Sequence, residues 1–409
     1  MTSGWPQKPL SEVVDLNPRL DKSAYRDDLE VSFVPMAAVE AGSGRMEVFQ
    51  AKQLGTVKKG YTPFREGDVL FAKITPCMEN GKMAVVPKLK NGLGFGSTEF
   101  HVLRPHEGIH PRYVYYFVSN QSFRREAAHH MTGAVGQKRV PTSFLEDALI
   151  PVPLFDDQKR IVAEIETQFS RLDEAVTTLK RVKANLKRYR AAVLKAAVEG
   201  KLVPGERPWT QGELGDIAVS IRNGYSKKPD ADHGTRIFRI SAVRPIELDT
   251  ADVRYLSGTP ADYEPFLVGP GDVLFTRYNG SRDYVGVCAR VPMNLPPTVY
   301  PDKLIRVRVP SSTVLPEFLV ILASTGRARK YIESKIRTTA GQSGISGGDL
   351  KSLPLELPCV AEQQRIVAKV ERRLSVIEEL EAAIEANLTR ADRLRQSTLT
   401  RAFEGKLMQ

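Results

Sequence analysis

The sequence is poor in cysteine, and the few cysteines that it has are not arranged in pairs. Cys77, Cys288 and Cys359 lie far apart and form no C-x-x-C motif. This spacing excludes a disulfide scaffold and a zinc ribbon, and it fits a reducing compartment. The six histidines form no H-E-x-x-H or comparable ligand set, so we expect no metal site in this chain.

Long apolar runs are also missing. A membrane-spanning helix needs about 18 or more consecutive apolar residues, and the sequence has no such stretch. The first residues show no basic segment followed by an apolar one, which a secretory signal would require. We therefore expect a cytoplasmic protein without membrane contact.

The sequence lacks the common motifs of catalysis on nucleotides. It contains no G-x-x-x-x-G-K-[ST] phosphate loop and no G-x-S-x-G turn. The segment Asn17-Pro18-Arg19-Leu20 does not match the Asn/Asp-Pro-Pro-aromatic motif of enzymes that methylate base amino groups. Glu333-Ser334-Lys335 has the Glu-x-Lys order of some nucleases, but no credible metal-binding aspartate precedes it, and a solvated helix face explains it more simply. The chain is therefore predicted to be non-catalytic.

Composition indicates a folded, basic protein. With 42% apolar residues the chain can bury ordinary cores, and 409 residues correspond to two or three domains at roughly 100–200 residues each. The net charge of +11 weakly favours an acidic partner such as nucleic acid.

The chain is a tandem duplication. The segment QKRIVAEIE at 158–166 returns as QQRIVAKVE at 363–371, about half the chain length further on. Gly-Asp-Val-Leu-Phe at 67–71 returns at 271–275, and Glu-Gly-Lys-Leu at 199–202 returns at 404–407 with nearly the same offset. Each copy is thus predicted to be a globular module followed by a long helix that ends near a glycine.

Both helices show a heptad pattern. One apolar seam comprises Ile165, Leu172, Leu179, Leu186 and Val193 in the first copy and Val370, Ile377, Ile384 and Ala391 in the second. A second seam is predicted at Ile161, Ala175, Val182, Tyr189 and Ala196, and at Ile366, Leu380 and Leu394. Lysines and arginines in the middle of the first helix complement glutamates in the middle of the second, so we expect the helices to pair. The alternative is that each helix packs on its own module, and charge alone leaves the direction of pairing open.

Apolar residues beside these seams widen the apolar stripe beyond what two helices bury. We expect this wider stripe to contact further subunits. Its members are Val162, Phe169, Val176, Val367, Leu374 and Leu388.

The two copies differ most in a loop that follows the shared Gly-Asp-Val-Leu-Phe segment. A loop that differs between two copies of one scaffold suggests two different targets, and its lysine, arginine, asparagine, threonine and tyrosine residues suit DNA. A second candidate segment is Gly136-Gln137-Lys138-Arg139, opposite Gly341-Gln342-Ser343-Gly344. The alternative for any single residue is an ordinary polar loop. The candidate DNA-binding residues are Lys73, Thr75, Asn80, Lys82, Gln137, Lys138, Arg139, Arg277, Tyr278, Asn279, Ser281, Arg282, Gln342 and Ser343.

These features resemble the specificity subunits of Type I restriction-modification systems over essentially the whole chain. The resemblance is carried by Gln158-Lys159-Arg160-Ile161-Val162 and Gln363-Gln364-Arg365-Ile366-Val367, by the paired Gly-Asp-Val-Leu-Phe segments, by the Glu-Gly-Lys-Leu endings and by Gly96-Ser97-Thr98-Glu99-Phe100. One departure is Asp157 before Gln158, where the family often has a glutamate, as Glu362 is before Gln363.

The resemblance implies an α+β fold with two tandem target-recognition domains and two long helices that pair as an antiparallel coiled coil. The expected boundaries are 1–154 and 204–359 for the recognition domains, and 155–203 and 360–409 for the spacer helices. Each recognition domain would read one half of an asymmetric, bipartite site in double-stranded DNA. Two methylation subunits and two restriction subunits would assemble on this frame and use S-adenosylmethionine, ATP and Mg²⁺, while this chain binds no cofactor.

Three alternatives remain open at this point. The chain could serve a methylation-only or other phage-defence complex, because that difference lies in the partner genes. It could be a stand-alone nuclease, or a coiled-coil scaffold that binds no DNA. The recognised bases and the exact spacer length do not follow from the sequence.

Overall fold

The fold is described from a computed structural model of the chain. The structure describes residues 4–47, 50–134, 136–205, 208–339 and 341–407. These residues form two compact units. The first unit comprises 1–179 and 385–409, and the second comprises 180–384.

Within the described residues, the first unit combines ten strands and four short α-helices with parts of the two long helices. The strands are β1 (Gln7–Pro9), β2 (Val14–Leu16), β3 (Glu30–Val34), β4 (Gln50–Gln53), β5 (Thr62–Arg65), β6 (Val69–Ala72), β7 (Met83–Val85), β8 (Leu93–Gly96), β9 (Phe100–Pro105) and β10 (Leu149–Pro151). The helices are α1 (Leu54–Val57), α2 (Pro111–Ser119), α3 (Gln121–His129), α4 (Thr142–Asp147) and the start of α5 (Phe155–Val198).

Two four-stranded sheets organise the first unit. One sheet has the order β2-β9-β6-β7 and is antiparallel throughout. The other has the order β4-β3-β8-β5, in which β3 and β8 run parallel. All four side chains of β6 are buried, which explains why the Val-Leu-Phe segment is continuously apolar rather than alternating. A pair of strands, β1 and β10, joins the two ends of the module.

The second unit repeats this plan. Its strands are β11 (Thr210–Glu213), β12 (Ser220–Asn223), β13 (Thr235–Phe238), β14 (Val253–Leu256), β15 (Val273–Thr276), β16 (Tyr278–Asn279), β17 (Cys288–Arg290), β18 (Thr298–Val299), β19 (Leu304–Arg308), β20 (Arg337–Thr339), β21 (Gln342–Gly344) and β22 (Pro354–Leu357). Its helices are α6 (Leu214–Ile217), α7 (Pro316–Ser324), α8 (Gly326–Lys335), α9 (Gly347–Lys351) and the start of α10 (Val360–Phe403).

Among the described residues, most of the strand pairing of the first unit recurs in the second, which lacks a counterpart of β5 and adds the sheet β16-β21-β20. The sheet β12-β19-β15-β17 corresponds to β2-β9-β6-β7, and the pair β11-β22 corresponds to β1-β10. The three strands β14-β13-β18 keep the antiparallel and then parallel order of β4-β3-β8. The duplication predicted from the sequence is therefore a duplication of the fold.

A buried aspartate at the start of each central strand pairs with a partly exposed arginine. Arg104 donates to Asp68 over 2.8 Å in the first unit, and Arg308 donates to Asp272 over 2.7 Å in the second. Both aspartates are almost completely buried, and each also accepts a backbone N–H from the preceding turn. The aspartate of Gly-Asp-Val-Leu-Phe thus has a structural role, because a buried carboxylate must be paired.

A buried glutamine fixes the beginning of each long helix. The Gln158 amide donates to the carbonyls of Pro153 (3.0 Å) and Gly108 (3.2 Å), and its oxygen accepts the His110 N–H at 2.8 Å. In the second unit the Gln363 amide repeats all three bonds, with the Pro358 and Thr313 carbonyls and the Leu315 N–H. This satisfied network explains why glutamine stands at this place in both copies.

Each long helix ends in the same glycine cap. The N–H of Gly200 donates to Ala197 and that of Lys201 to Ala196, and the same pattern joins Gly405 to Ala402 and Lys406 to Arg401. These glycines have φ values of 65° and 73°, which a residue with a side chain adopts only with strain. Both Glu-Gly-Lys-Leu segments are therefore helix caps, and α5 ends at Val198, before residue 203.

The two long helices pair in antiparallel orientation. In the first unit, Thr398 of α10 donates to Gln168 of α5 at 2.8 Å, and Arg395 forms an ion pair with Asp173. Later residues of α5 thus lie opposite earlier residues of α10. In the second unit Arg190 of α5 forms ion pairs with Glu381 (3.4 Å) and Glu378 (3.6 Å) of α10. The predicted coiled coil is confirmed.

The first predicted seam is confirmed, whereas the second is wrong in the middle of the helices. Val193, Val370 and Ile377 are 1% exposed, whereas Val182, Tyr189, Leu380 and Leu394 are 40–46% exposed. Arg190, which reaches the glutamates of α10, lies on the opposite side of Leu186 from Val182 and Tyr189. The contact line is rotated towards this ion pair, which leaves the predicted second seam facing solvent.

Candidate nucleic-acid interface

In the first unit the two candidate segments lie side by side. The N–H of Thr75 donates to the Lys138 carbonyl at 3.0 Å, and the N–H of Val140 donates to the Lys73 carbonyl at 2.9 Å. Ile74 and Arg139 form an antiparallel bridge between these bonds. Residues more than 60 positions apart are thus brought together directly after the central strand β6.

The second unit brings its candidate segments together in the same way. Strand β16 pairs with β21, so that Tyr278 faces Gly344 and Asn279 faces Ser343. The N–H of Ile345 also donates to the Arg277 carbonyl at 3.0 Å. A side chain at position 344 would collide with the Tyr278 ring, because a Cβ there would lie 2.2 Å from it. The glycine of this segment therefore permits the close approach of Tyr278.

Several polar side chains of the first unit already have partners within the chain. Arg139 donates two hydrogen bonds to the Glu99 carboxylate, at 2.9 and 2.8 Å, and these bonds hold the pKa of Glu99 below its ordinary value. Lys82 donates to the Met36 carbonyl at 3.1 Å. Thr75 donates to Glu79 at 3.1 Å. Arg139 and Thr75 thus shape the loop, because their hydrogen-bonding groups are engaged.

Other candidates of the first unit are open to solvent. Asn80, Gln137 and Lys138 are exposed, and Lys73 is half-buried. No ion pair within the described residues engages Lys73 or Lys138. These side chains combine cations for phosphate with amides for base edges.

In the second unit an arginine and a tyrosine form a stacked pair. The Arg277 guanidinium lies 4.6 Å from the centre of the Tyr278 ring, and Nη1 donates to the Asp302 carbonyl over 3.3 Å. Its buried Nε finds no acceptor among the described residues. Stacking and one weak bond orient the guanidinium while leaving most of its donors unused.

The remaining candidates of the second unit divide into exposed and buried residues. Ser281 and Gln342 are exposed, and Arg282 is exposed while donating to the Glu333 carbonyl at 3.1 Å. Asn279 accepts the Ser281 N–H at 2.9 Å and thereby shapes the turn. Ser343 is only 6% exposed, and its hydroxyl bonds Thr338 at 2.9 Å. Ser343 therefore has little surface available to DNA, and its contact with DNA stays a prediction.

A cleft lies beside the candidate loop of the first unit, and it was not predicted from the sequence. It has a volume of about 470 Å³, and its lining includes Arg19, Lys22, Lys73 and Tyr61. The segment around Asn17, which has a φ of 52°, brings Arg19 and Lys22 to Lys73. Only the Asn-Pro turn signal at 17–18 pointed to this bend, and it gave no partner for it.

A buried histidine supports the wall of this cleft. His101 is 4% exposed, with Nε2 at 2.9 Å from the Val140 carbonyl and Nδ1 at 3.1 Å from the Asn17 amide. Burial lowers the pKa of His101, so the ring is neutral and couples the Asn17 bend to the segment that carries Lys138.

The six apolar residues predicted to contact other subunits are mostly used inside the chain. Val162, Val367 and Leu374 are 5–8% exposed, which leaves them little surface for a partner. Phe169 packs edge-on against Tyr116 and under Arg395, while Val176 and Leu388 are half-buried. In the first unit Val162 and Phe169 pack in the apolar core of the module, and contact of the stripe with further subunits stays a prediction.

The described residues contain no group of three or more histidine, cysteine or acidic side chains that could hold a metal ion. Glu333, of the nuclease-like Glu-x-Lys segment, pairs with Arg329 one turn earlier on α8. None of the helices in the described ranges is long and apolar enough to cross a bilayer.

Comparison with known proteins assigns the family. Residues 2–188 match the Type I restriction modification DNA specificity domain. The chain is 32% identical to the EcoKI specificity subunit of Escherichia coli strain K12, over 100% of this chain and 90% of the relative. It is 28% identical to the StySPI specificity subunit of Salmonella potsdam with the same coverage.

Two solved structures share the fold. A chain from a study of the assembly and conformational transition of the type I R-M system superposes with a TM-score of 0.78 at 21% identity, covering 99% of this chain and 98% of that one. The HsdS subunit from Thermoanaerobacter tengcongensis superposes with a TM-score of 0.65, also at 21% identity, over 99% and 97% of the two chains. The duplicated modules, the antiparallel helix pair and the full-length sequence match place this chain in the family of Type I restriction enzyme specificity subunits.

Proposed function

We propose that this chain reads an asymmetric, bipartite DNA sequence, one half with each module. The observation that carries this proposal is the shared position of two unlike surfaces. In both units a polar loop follows the central strand and lies against a second polar segment, yet the first presents Lys73 and Lys138 where the second presents the Arg277–Tyr278 stack. One scaffold with two different surfaces suits two different half-sites.

Each surface is suited to contact both the backbone and the bases. Exposed lysines contact phosphates without regard to sequence, whereas arginine and amide side chains distinguish base edges in the major groove. Arg277 is held by stacking on Tyr278, so less of its side-chain entropy is lost when it binds a guanine. We assign the positioning of the first surface to Arg139 and His101, because both are engaged within the chain.

The chain also serves, in this proposal, as the frame on which catalytic subunits assemble. Two methylation subunits would use S-adenosylmethionine to methylate adenine, and two restriction subunits would use ATP and Mg²⁺ to cleave. The helix pair sets the spacing of the half-sites. Modules that read one face of the duplex should have their half-sites about one helical turn apart, with about six or seven unread base pairs between them.

Selection of bound DNA tests the assignment of one half-site to each module. The full chain, assembled with its methylation subunits, is used to enrich binding sequences from a random library. We expect Arg277→Ala to relax one half-sequence and a Lys73→Ala, Lys138→Ala double variant to weaken the other half. Arg254→Ala, which removes an exposed arginine from β14, is the matched control and should change neither half. If a single variant relaxes both halves, the modules do not read separately.

Activity assays distinguish a non-catalytic specificity subunit from a stand-alone nuclease. The purified chain with Mg²⁺ should neither cleave nor methylate DNA, and both activities should require added subunits. Cleavage by the chain alone would contradict the proposal. A complex that methylates but has no restriction subunit encoded beside it would instead support the methylation-only alternative.

A further inference from the structure

We propose that the middle of α5 binds the phosphate backbone of the DNA between the two half-sites. The surface in question consists of Lys180, Arg181, Lys187 and Arg188, and we call it the α5 patch. The inference deepens the proposed function and rests on it, since only a DNA-binding chain would have unread base pairs beside its spacer helix.

The middle of α5 carries charge of one sign. From Ala175 to Val198 the helix has seven lysines and arginines and no aspartate or glutamate. The beginning of the same helix differs, because there Lys159 pairs with Asp156 at 3.1 Å and Arg160 with Asp157 at 3.4 Å. In the middle of the helix Arg190 pairs with Glu381 and Glu378 of α10, whereas the α5 patch consists of four other cations.

The α5 patch faces away from α10. Leu186 and Val193 are buried, and Arg190 reaches Glu381, so these residues mark the side of α5 that packs. At about 100° per residue, each member of the α5 patch lies roughly 100° or more around the helix from Leu186. Ala184 and Ala191 lie between the two rows of cations, and both are exposed. Their small side chains leave room for a broad surface to approach.

No carboxylate among the described residues forms an ion pair with the α5 patch. Arg188 makes a weak bond of 3.5 Å to Asn185, and all four side chains are exposed. These four cations therefore suit a ligand of opposite charge.

Duplex DNA fits this surface better than a protein does. The α5 patch extends about 12 Å along the helix axis, which corresponds to three or four base pairs of duplex. A protein interface has an apolar or aromatic centre, whereas the α5 patch contains only cations and alanine. The exposed apolar residues Val182 and Tyr189 lie on a different side of α5, next to the helix contact.

Salt dependence and neutral backbone analogues test the inference. The full chain, assembled with its methylation subunits, is titrated onto DNA that contains both half-sites. Replacing all four residues of the α5 patch by alanine should reduce the slope of log K against log salt by about 2 to 4. The preference for the correct over a mutated half-site should stay the same. Alanine keeps the helix, so circular dichroism should not change.

A second DNA carries uncharged methylphosphonates in the unread spacer only. This change should weaken binding of the natural chain and leave binding of the α5 patch variant unaltered. The matched control replaces four exposed arginines of α10, Arg365, Arg372, Arg390 and Arg393, and should keep the response of the natural chain to methylphosphonate.

Each other outcome overturns the inference. If spacer methylphosphonates weaken the natural chain and the α5 patch variant equally, other groups contact the spacer. If the variant fails to assemble with methylation subunits but shows an unchanged salt slope, the α5 patch binds protein. If the natural complex shows no preference for any sequence, the proposed function itself fails, which is a distinct result.

Discussion

Replacing Gln158 by alanine should detach the start of α5 from the first module. The Gln158 side chain is 1% exposed and makes three hydrogen bonds, to the Pro153 and Gly108 carbonyls and from the His110 N–H. Truncation leaves all three backbone groups without this partner, and a buried unsatisfied group costs about 1–3 kcal/mol. Because water can enter part of the space, we expect a loss of about 3 kcal/mol rather than the full sum.

Thermal unfolding measures this loss. For a unit of roughly 200 residues, 1 kcal/mol shifts the midpoint by about 2–4 °C, so the transition of the first unit should fall by about 6–12 °C. Gln364→Ala is the matched control, because Gln364 belongs to the repeated motif of the second copy but is exposed. Its effect should stay within about 0.5 kcal/mol. If Gln158→Ala and Gln364→Ala shift the midpoint equally little, the amide network does not hold the helix.

Three further predictions concern recognition, pH and spacing. Arg277→Ala should weaken binding to the specific site by about 1–3 kcal/mol if Arg277 reads a guanine. If Arg277 contacts only a phosphate, the variant should weaken binding to all sequences equally and reduce the slope of log K against log salt by about 1. Fluorescence anisotropy distinguishes the two results. Burial lowers the pKa of His101 below its ordinary value of 6.5, so the unfolded chain takes up a proton before the folded chain as the pH falls through 6.5, and stability is lost there. The His101→Gln variant should lose less stability in denaturant titrations between about pH 7.5 and 5.5. His110, whose pKa burial also lowers, should account for part of the loss that remains. Inserting seven residues into α5 and seven into the facing part of α10 adds about 10 Å of helix. This should lengthen the preferred spacer by about three base pairs while both half-sequences stay unchanged. Insertion after Gly200 should not lengthen the spacer, because α5 ends at Val198.

Repetition made most of the fold predictable from the sequence. The repeated Gly-Asp-Val-Leu-Phe, glutamine and Glu-Gly-Lys-Leu segments each correspond to one repeated structural device, namely the ion pair of the buried aspartate, the amide network and the glycine cap. Such devices constrain a few residues strongly, so they persist where the surrounding sequence changes.

The details of side-chain orientation were less predictable. A heptad pattern identifies the apolar seam but does not state on which flank the partner helix lies, and Arg190 decided this through its ion pairs with α10. Ser343 was predicted to contact DNA because its segment is polar, but its side chain is buried and bonds the Thr338 hydroxyl. Neither the pairing partner nor the strand register is visible in a single sequence.

The candidate interface was predicted as two segments, and their contact is a finding of the structure. Pairing of 73–75 with 138–140, and of 278–279 with 343–344, depends on backbone hydrogen bonds between distant residues. The cleft that contains Arg19 and Lys22 required the bend at Asn17 and the His101 network behind it. The assignment of individual residues to bases stays a prediction.

Methylome sequencing of the host, with and without this reading frame, tests the central claim most directly. We predict one methylated motif that disappears with the gene, made of two unlike half-sequences separated by a fixed unread spacer of about six or seven base pairs. A motif that is continuous, that is symmetric, or that persists after deletion would contradict the reading of one half-site by each module.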